Sequence, residues 1–118
     1  MLSLRKEPTM LFQRLALTLC LLLFAVMAHA QDYYVDITNE TGYTIYYLYV
    51  SPEHASSWEE DVLGSDVMPS GTTQRVNLQG YKSPIFDIRL IDEDDDTYTF
   101  WGVDVSRRDL VVTLEDLD

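Results

Sequence analysis

Cysteine is almost missing from this chain. The one cysteine, Cys20, lies in an apolar run near the N-terminus, and everything after it is cysteine-free. That excludes a disulfide-stapled scaffold and a cysteine nucleophile in the remainder. Histidine is nearly as scarce: His54 is the only one after residue 30, so no multi-histidine metal centre is available. Basic side chains number 8 against 20 acidic ones. A surface so acidic repels nucleic acid and anionic lipid head groups; its counterparts are cationic partners or divalent metal ions, or the charge simply keeps the protein soluble. Long apolar runs are lacking too. The run Leu15 to Val26 falls short of the roughly 20 apolar residues of a membrane-spanning helix.

That run does fit an export signal. Arg5, Lys6 and Arg14 supply a basic flank, and Ala28-His29-Ala30 supplies a small-x-small cleavage pattern before Gln31. Met10 offers a second start for the same signal. Cys20 stands behind Leu19, where lipoprotein processing wants a small residue, so the segment reads as a cleaved signal peptide over 1–30 and not as a lipid anchor. The expectation is a periplasmic or secreted protein with no stable membrane insertion. Removing Arg5, Lys6, Arg14 and Glu7 leaves 19 acidic and 5 basic side chains, a net charge of −14. Residues 31–118 are enough for one domain with a modest core, close to the size at which domains become marginal.

Within that domain the alternation of apolar and polar residues predicts strands. Tyr33 to Ser51 reads as a β-hairpin turning at Asn39-Glu40-Thr41-Gly42, with Val35, Ile37, Tyr46, Leu48 and Val50 inward. Tyr34, Asp36, Ile45, Tyr47 and Tyr49 then fall on the opposite, aromatic face. Ser57-Trp58-Glu59-Glu60 matches a capping box, which predicts a short helical turn ending at Gly64 and holding Trp58 as a lid. Thr72 to Gln79, Ile85 to Ile91, Thr97 to Val103 and Leu110 to Glu115 are four further strands, the middle two forming a hairpin with the acidic tip Asp92-Glu93-Asp94-Asp95-Asp96. Asp87 and Arg89 read as an outward, solvated pair. The fold expected is all-β: a small antiparallel β-sandwich of six or seven strands with one short helical turn, a small open barrel being the alternative.

A resemblance accompanies this pattern. Asn39-x-Thr41-Gly42-Tyr43-Thr44-Ile45, Leu48-Tyr49-Val50-Ser51-Pro52, Trp58-x-x-Asp61-x-Leu63-Gly64, Phe86-Asp87-Ile88-Arg89 and Trp101-Gly102-Val103-Asp104 together resemble a family of small exported bacterial β-domains. The resemblance covers essentially all of residues 31–118 and implies export and the fold, without an established biochemical role. Some relatives carry an argininosuccinate lyase name. Those enzymes resemble large helical tetramers with a Ser-rich flexible loop, and this chain has neither the length nor the motif.

Two groups of residues are candidates for chemistry. Asp92, Asp94 and Asp96 alternate, so an extended tip can point their carboxylates one way, with Glu93 or Asp104 as a further donor. Calcium takes about six to eight oxygen ligands, and such a tip supplies several. The spacing resembles the start of an EF-hand loop, but Thr97 stands where the glycine belongs and Val103 where the glutamate belongs. The plain alternative is a polar turn whose charges discourage edge-to-edge pairing. The second candidate is the tyrosine face, Tyr34, Tyr47 and Tyr49, which can stack on sugar rings or anchor a protein interface unless another element covers it. Asn39-Glu40-Thr41 matches a glycosylation sequon, though Asn39 is better explained as a turn residue. Nothing resembles a nucleophile elbow, and a carboxylate pair for glycoside hydrolysis lacks room for a cleft. The sequence therefore points to a non-catalytic binding module, with a calcium ion at the tip and a protein or glycan partner of basic surface as its expected ligands. The alternatives are a small acidic inhibitor of an exported enzyme and, more distantly, a periplasmic hydrolase.

Overall fold

The structure is a computed structural model that describes residues 30–107 and 109–118. The expected export signal lies outside the described residues except for Ala30. Six strands form: β1 (Gln31–Glu40), β2 (Ile45–Pro52), β3 (Thr73–Tyr81), β4 (Ile85–Asp92), β5 (Thr97–Asp104) and β6 (Leu110–Thr113). A 3-10 turn, Leu114–Asp116, follows β6. The strands make two three-stranded sheets, ordered β3-β1-β6 and β2-β4-β5.

This order corrects the expected β1–β2 hairpin. β1 pairs with β3 and β6, and β2 pairs with β4, so the two strands belong to different sheets. Thr41 to Thr44 is an arch between sheets. A hairpin and an arch leave the same alternation in the sequence, because inward side chains face the core in both. The sheets are also not wholly antiparallel: β1 and β6 run parallel, with Ile37 opposite Leu110.

Asn39 makes the arch rigid. Its side chain is fully buried, and its amide donates to the Tyr43 and Met68 carbonyls at 2.8 and 2.9 Å. Its Oδ1 accepts from the Thr41 amide and the Thr41 hydroxyl at 3.0 and 2.7 Å. Every donor and acceptor of the amide group is thereby matched, as burial of a polar group requires. The sequon reading fits poorly with an amide nitrogen so enclosed; the turn reading fits well.

Both sheets feed one core. Val35 and Ile37 of β1, Val76 and Leu78 of β3 and Val112 of β6 meet Leu48 and Val50 of β2, Phe86, Ile88 and Leu90 of β4 and Tyr98 of β5. Burying each aliphatic or phenyl side chain is worth about 1.5–3 kcal/mol, which lets a domain of this size hold without disulfides. Leu114, which continues the alternation of Leu110 and Val112 in the sequence, is half exposed because the strand ends at Thr113 and the 3-10 turn rotates it out.

The segment after β2 forms no helix. Instead it runs along the open edge of β2: Val62 N–H donates to the Leu48 carbonyl at 2.8 Å, and Leu48 N–H donates to Asp61 Oδ1 at 2.9 Å. Ser51, not Ser57, takes the polar role there, its Oγ accepting from the Glu59 amide at 2.8 Å. Leu63 and Met68 then close the core. At the other side of this sheet the C-terminus covers the edge of β5, with Asp118 N–H donating to the Thr97 carbonyl at 2.9 Å. Covered edges resist pairing with other chains.

Candidate functional site

Two β-bulges decide what the β2-β4-β5 sheet shows to solvent. In β2, Ile45 faces Asp92 and Tyr47 faces Ile91, so Tyr46 is an extra residue. The alternation slips there. Ile45 turns in, contrary to expectation, and both Tyr46 and Tyr47 turn out. In β5, Val103 faces Phe86 and Phe100 faces Ile88, which leaves Trp101 and Gly102 opposite Asp87 alone. Gly102 takes φ +65°, a conformation that side chains rarely adopt. Its N–H donates to Asp87 Oδ1 at 2.9 Å, fixing the bulge. Bulges are a common device for re-aiming a side chain, and this one lifts Trp101 into solvent at 68% exposure.

Trp101 is the end of a continuous strip of rings. Tyr47 and Tyr49 stack with centroids 6.4 Å apart and planes within 8°. Tyr49 meets Trp58 at 6.3 Å, and Trp58 meets Trp101 at 5.7 Å. The half-buried Trp58 is thus part of the exposed aromatic surface, supplied by the segment that was expected to be a helical lid. Arg89 lies over Trp58 at 5.0 Å and near Trp101 at 6.0 Å from the ring centres. Its Nε donates to Thr99 Oγ1 at 3.0 Å, and Thr99 donates in turn to Asp118 Oδ2 at 2.6 Å. Burial opposes ionisation of Asp118, but hydrogen bonds from Thr99 and Thr97 outweigh it and hold the carboxyl below its usual range. Asp87 and Arg89 therefore do not form the expected solvated pair. One secures a bulge and the other stacks on indoles.

Shallow clefts flank Trp101. One, of about 200 Å³, is lined by Ser51, Ser56, Ser57, Trp58 and Asp87. The other, of about 430 Å³, is lined by Glu53, His54, Asp87 and Gly102. Pockets that swallow a whole small molecule run to about 300–1,000 Å³ and are more enclosed, so this surface is a platform with polar margins.

The other predicted residues are placed as follows. Tyr34 is on the opposite sheet, beneath the Arg75 guanidinium at 4.1 Å, and shares no face with Tyr47 and Tyr49. Asp92, Asp94 and Asp96 do converge, with one carboxylate oxygen from each lying within 4.8 Å of the others. Asp104 does not join them. It ends β5 about 25 Å away along the strand, where it binds Ser106 and Arg107; the Ser106 hydroxyl holds its carboxyl below the usual range. Asp92 is itself buried and committed to the fold. Oδ1 accepts from the Asp94 and Asp96 amides at 2.9 and 3.0 Å, and Oδ2 accepts the Tyr98 hydroxyl at 2.9 Å. Of the three, Asp94 and Asp96 remain as exposed carboxylates, with Glu93 and Asp95 exposed beside them but outside the converging group; two uncommitted carboxylates are far short of a calcium shell. We expect no calcium-specific rise in melting temperature over EDTA. An Asp94→Asn, Asp96→Asn variant should melt higher than the parent at low salt, by relief of like-charge repulsion, with the gain fading as salt is added. A calcium-specific rise that this variant loses would restore the metal site.

Sequence reasoning found Tyr47 and Tyr49 and missed Trp101, Arg89 and Asp87 as their neighbours. The available signal was Gly102: a glycine directly after a tryptophan inside a strand pattern marks a bulge. Fold and surface together define a small all-β domain of two three-stranded sheets that bears a strip of solvent-facing aromatic rings. No protein-family model, curated protein or solved structure matches the chain.

Proposed function

We propose that this protein is a non-catalytic, exported binding module of the β-sandwich class, and that the strip Tyr47–Tyr49–Trp58–Trp101 is its contact surface. One observation carries the reading: four rings in unbroken contact on an outer face, ending in a tryptophan that a side-chain-secured bulge holds in water. Scattered exposed aromatics need no explanation, whereas a contiguous set bordered by polar groups marks an interaction site. Export is read from the basic flank, the apolar run Leu15 to Val26 and the Ala28-His29-Ala30 pattern of the sequence.

A second reading has an observation of its own. Glu59, Glu60 and Asp61 line a groove of about 600 Å³ with Val50, Val76 and Tyr81, which suits an acidic inhibitor gripping a basic enzyme. One retention experiment separates the two. Immobilised protein is exposed to an extract of envelope polysaccharide and protein, with a Tyr47→Ala, Trp101→Ala variant alongside. Both positions are exposed, so the variant should melt close to the parent. The module reading expects the variant to lose its retained partner while the parent keeps it through a rise in salt. Retention unchanged by the variant and abolished by salt would replace that reading with the inhibitor.

A further inference from the structure

We infer that the aromatic strip takes a linear glycan chain built of uncharged or N-acetylated sugar rings, and that Trp101 with Asp87 forms its dominant subsite; the inference rests on the contact surface proposed above. The four rings follow one another in single file, Tyr47 to Tyr49 to Trp58 to Trp101. A stable protein interface covers about 800 Å² on each partner with an apolar centre, but here polar groups close in on the rings: Ser57 borders one cleft beside Trp101, Glu53 and His54 border the other, and Asp87 lines both. A narrow apolar track with hydroxyls and carboxylates at its margins is complementary to a sugar chain, whose ring faces carry C–H groups and whose edges carry hydroxyls. Successive centroids lie 6.4, 6.3 and 5.7 Å apart, comparable with the advance of one sugar ring along a chain.

Charge narrows the class. Asp87 and Glu53 border the Trp101 clefts, and Asp118 stands behind Thr99. Among the described residues the cation on the strip is Arg89, which is stacked on Trp58 and bonded to Thr99. Uronic or sulfated sugars meet repulsion there, and Arg89 has its guanidinium engaged by an indole and a hydroxyl instead of turned to receive them. Asp87 keeps Oδ2 for a sugar hydroxyl while Oδ1 holds the bulge through Gly102, so a single side chain both shapes the subsite and bonds in it.

The test uses the chain's own reporters. Its two tryptophans, Trp58 and Trp101, both lie on the strip, so fluorescence reports binding directly. The full exported protein is titrated with N-acetylglucosamine oligomers, cello-oligosaccharides and oligogalacturonate. Expected is a saturable change with one of the uncharged series that strengthens with oligomer length, and none with oligogalacturonate. Trp101→Ala should weaken it by about thirtyfold or more. Asp87→Asn, which retains an acceptor for Gly102, should weaken it less and admit the uronate. Preference for the uronate by the parent, or a response unaltered by Trp101→Ala, overturns the inference. If no series binds and a photo-crosslinking residue at position 101 captures a protein instead, the glycan is wrong while the contact surface stands. If neither binds, both fall.

Discussion

Asn39→Asp is expected to remove most of the stability of this domain. The exchange swaps two N–H donors for a carboxylate oxygen that faces the Tyr43 and Met68 carbonyls at hydrogen-bond distance, inside a site with no exposure. Two carbonyls lose their donors, and a negative charge is buried beside them. Such changes cost about 3–5 kcal/mol, against a total near 0.05–0.15 kcal/mol per residue for a typical domain. Urea unfolding should show the midpoint collapsing, or no cooperative transition at all. Thr41→Val removes the buried hydroxyl that donates to Asn39 Oδ1 and accepts from the Tyr43 N–H, and should cost less, about 1–3 kcal/mol. A loss under about 1 kcal/mol in Asn39→Asp would mean that the arch is held by something other than this amide.

The second large effect lies at the β4–β5 tip. Asp92→Ala strips the acceptor from the Tyr98 hydroxyl and from the Asp94 and Asp96 amides together, with an expected cost of about 3–5 kcal/mol. Tyr98→Phe leaves Asp92 its two amide partners and should cost about 1–3 kcal/mol. These variants differ in their pH dependence. Burial, reinforced by the Asp92 carboxylate, pushes the Tyr98 hydroxyl up to about 12. A tyrosine in the unfolded chain ionises near 10. The neutral phenol therefore contributes fully below pH 10, and its contribution is lost as pH climbs from about 10 to about 12. That loss amounts to roughly 3 kcal/mol. Unfolding monitored across this range should show the parent weakening more steeply than Tyr98→Phe. Parallel profiles would sink the assignment.

Much of the fold is legible in the sequence, and the gaps have physical causes. β4 announces itself through Phe86, Ile88 and Leu90, and β3 through Val76 and Leu78, because each has one face on the core and period-two alternation reports that directly. The pairing of β1 with β2 was misread because alternation says which way a side chain points, not which strand lies alongside. Asn39 drew notice as a turn residue; that it ties Tyr43, Met68 and Thr41 into one knot depends on contacts across 29 residues of chain. The candidate surface was half visible for a related reason. Tyr47 and Tyr49 follow the simple pattern, while Trp101 is re-aimed by a bulge, and the ring that joins them, Trp58, comes from a segment whose capping-box pattern suggested a helix. There the local hydrogen bonds of Ser57 lost to the unpaired edge of β2, which needed Val62 and Asp61 more.

The position of β1 has a consequence for time as well as shape. It is the first strand of the domain, yet it sits at the centre of its sheet between β3 and β6, both supplied later by the chain. Its parallel partner, Leu110–Thr113, emerges after all the other described strands. Neither neighbour is reached by a local turn, so the sheet must wait for distant segments, and such topologies fold slowly. For a chain proposed to cross a membrane before it folds, late closure is useful: β1 stays unlatched until its distant parallel partner arrives.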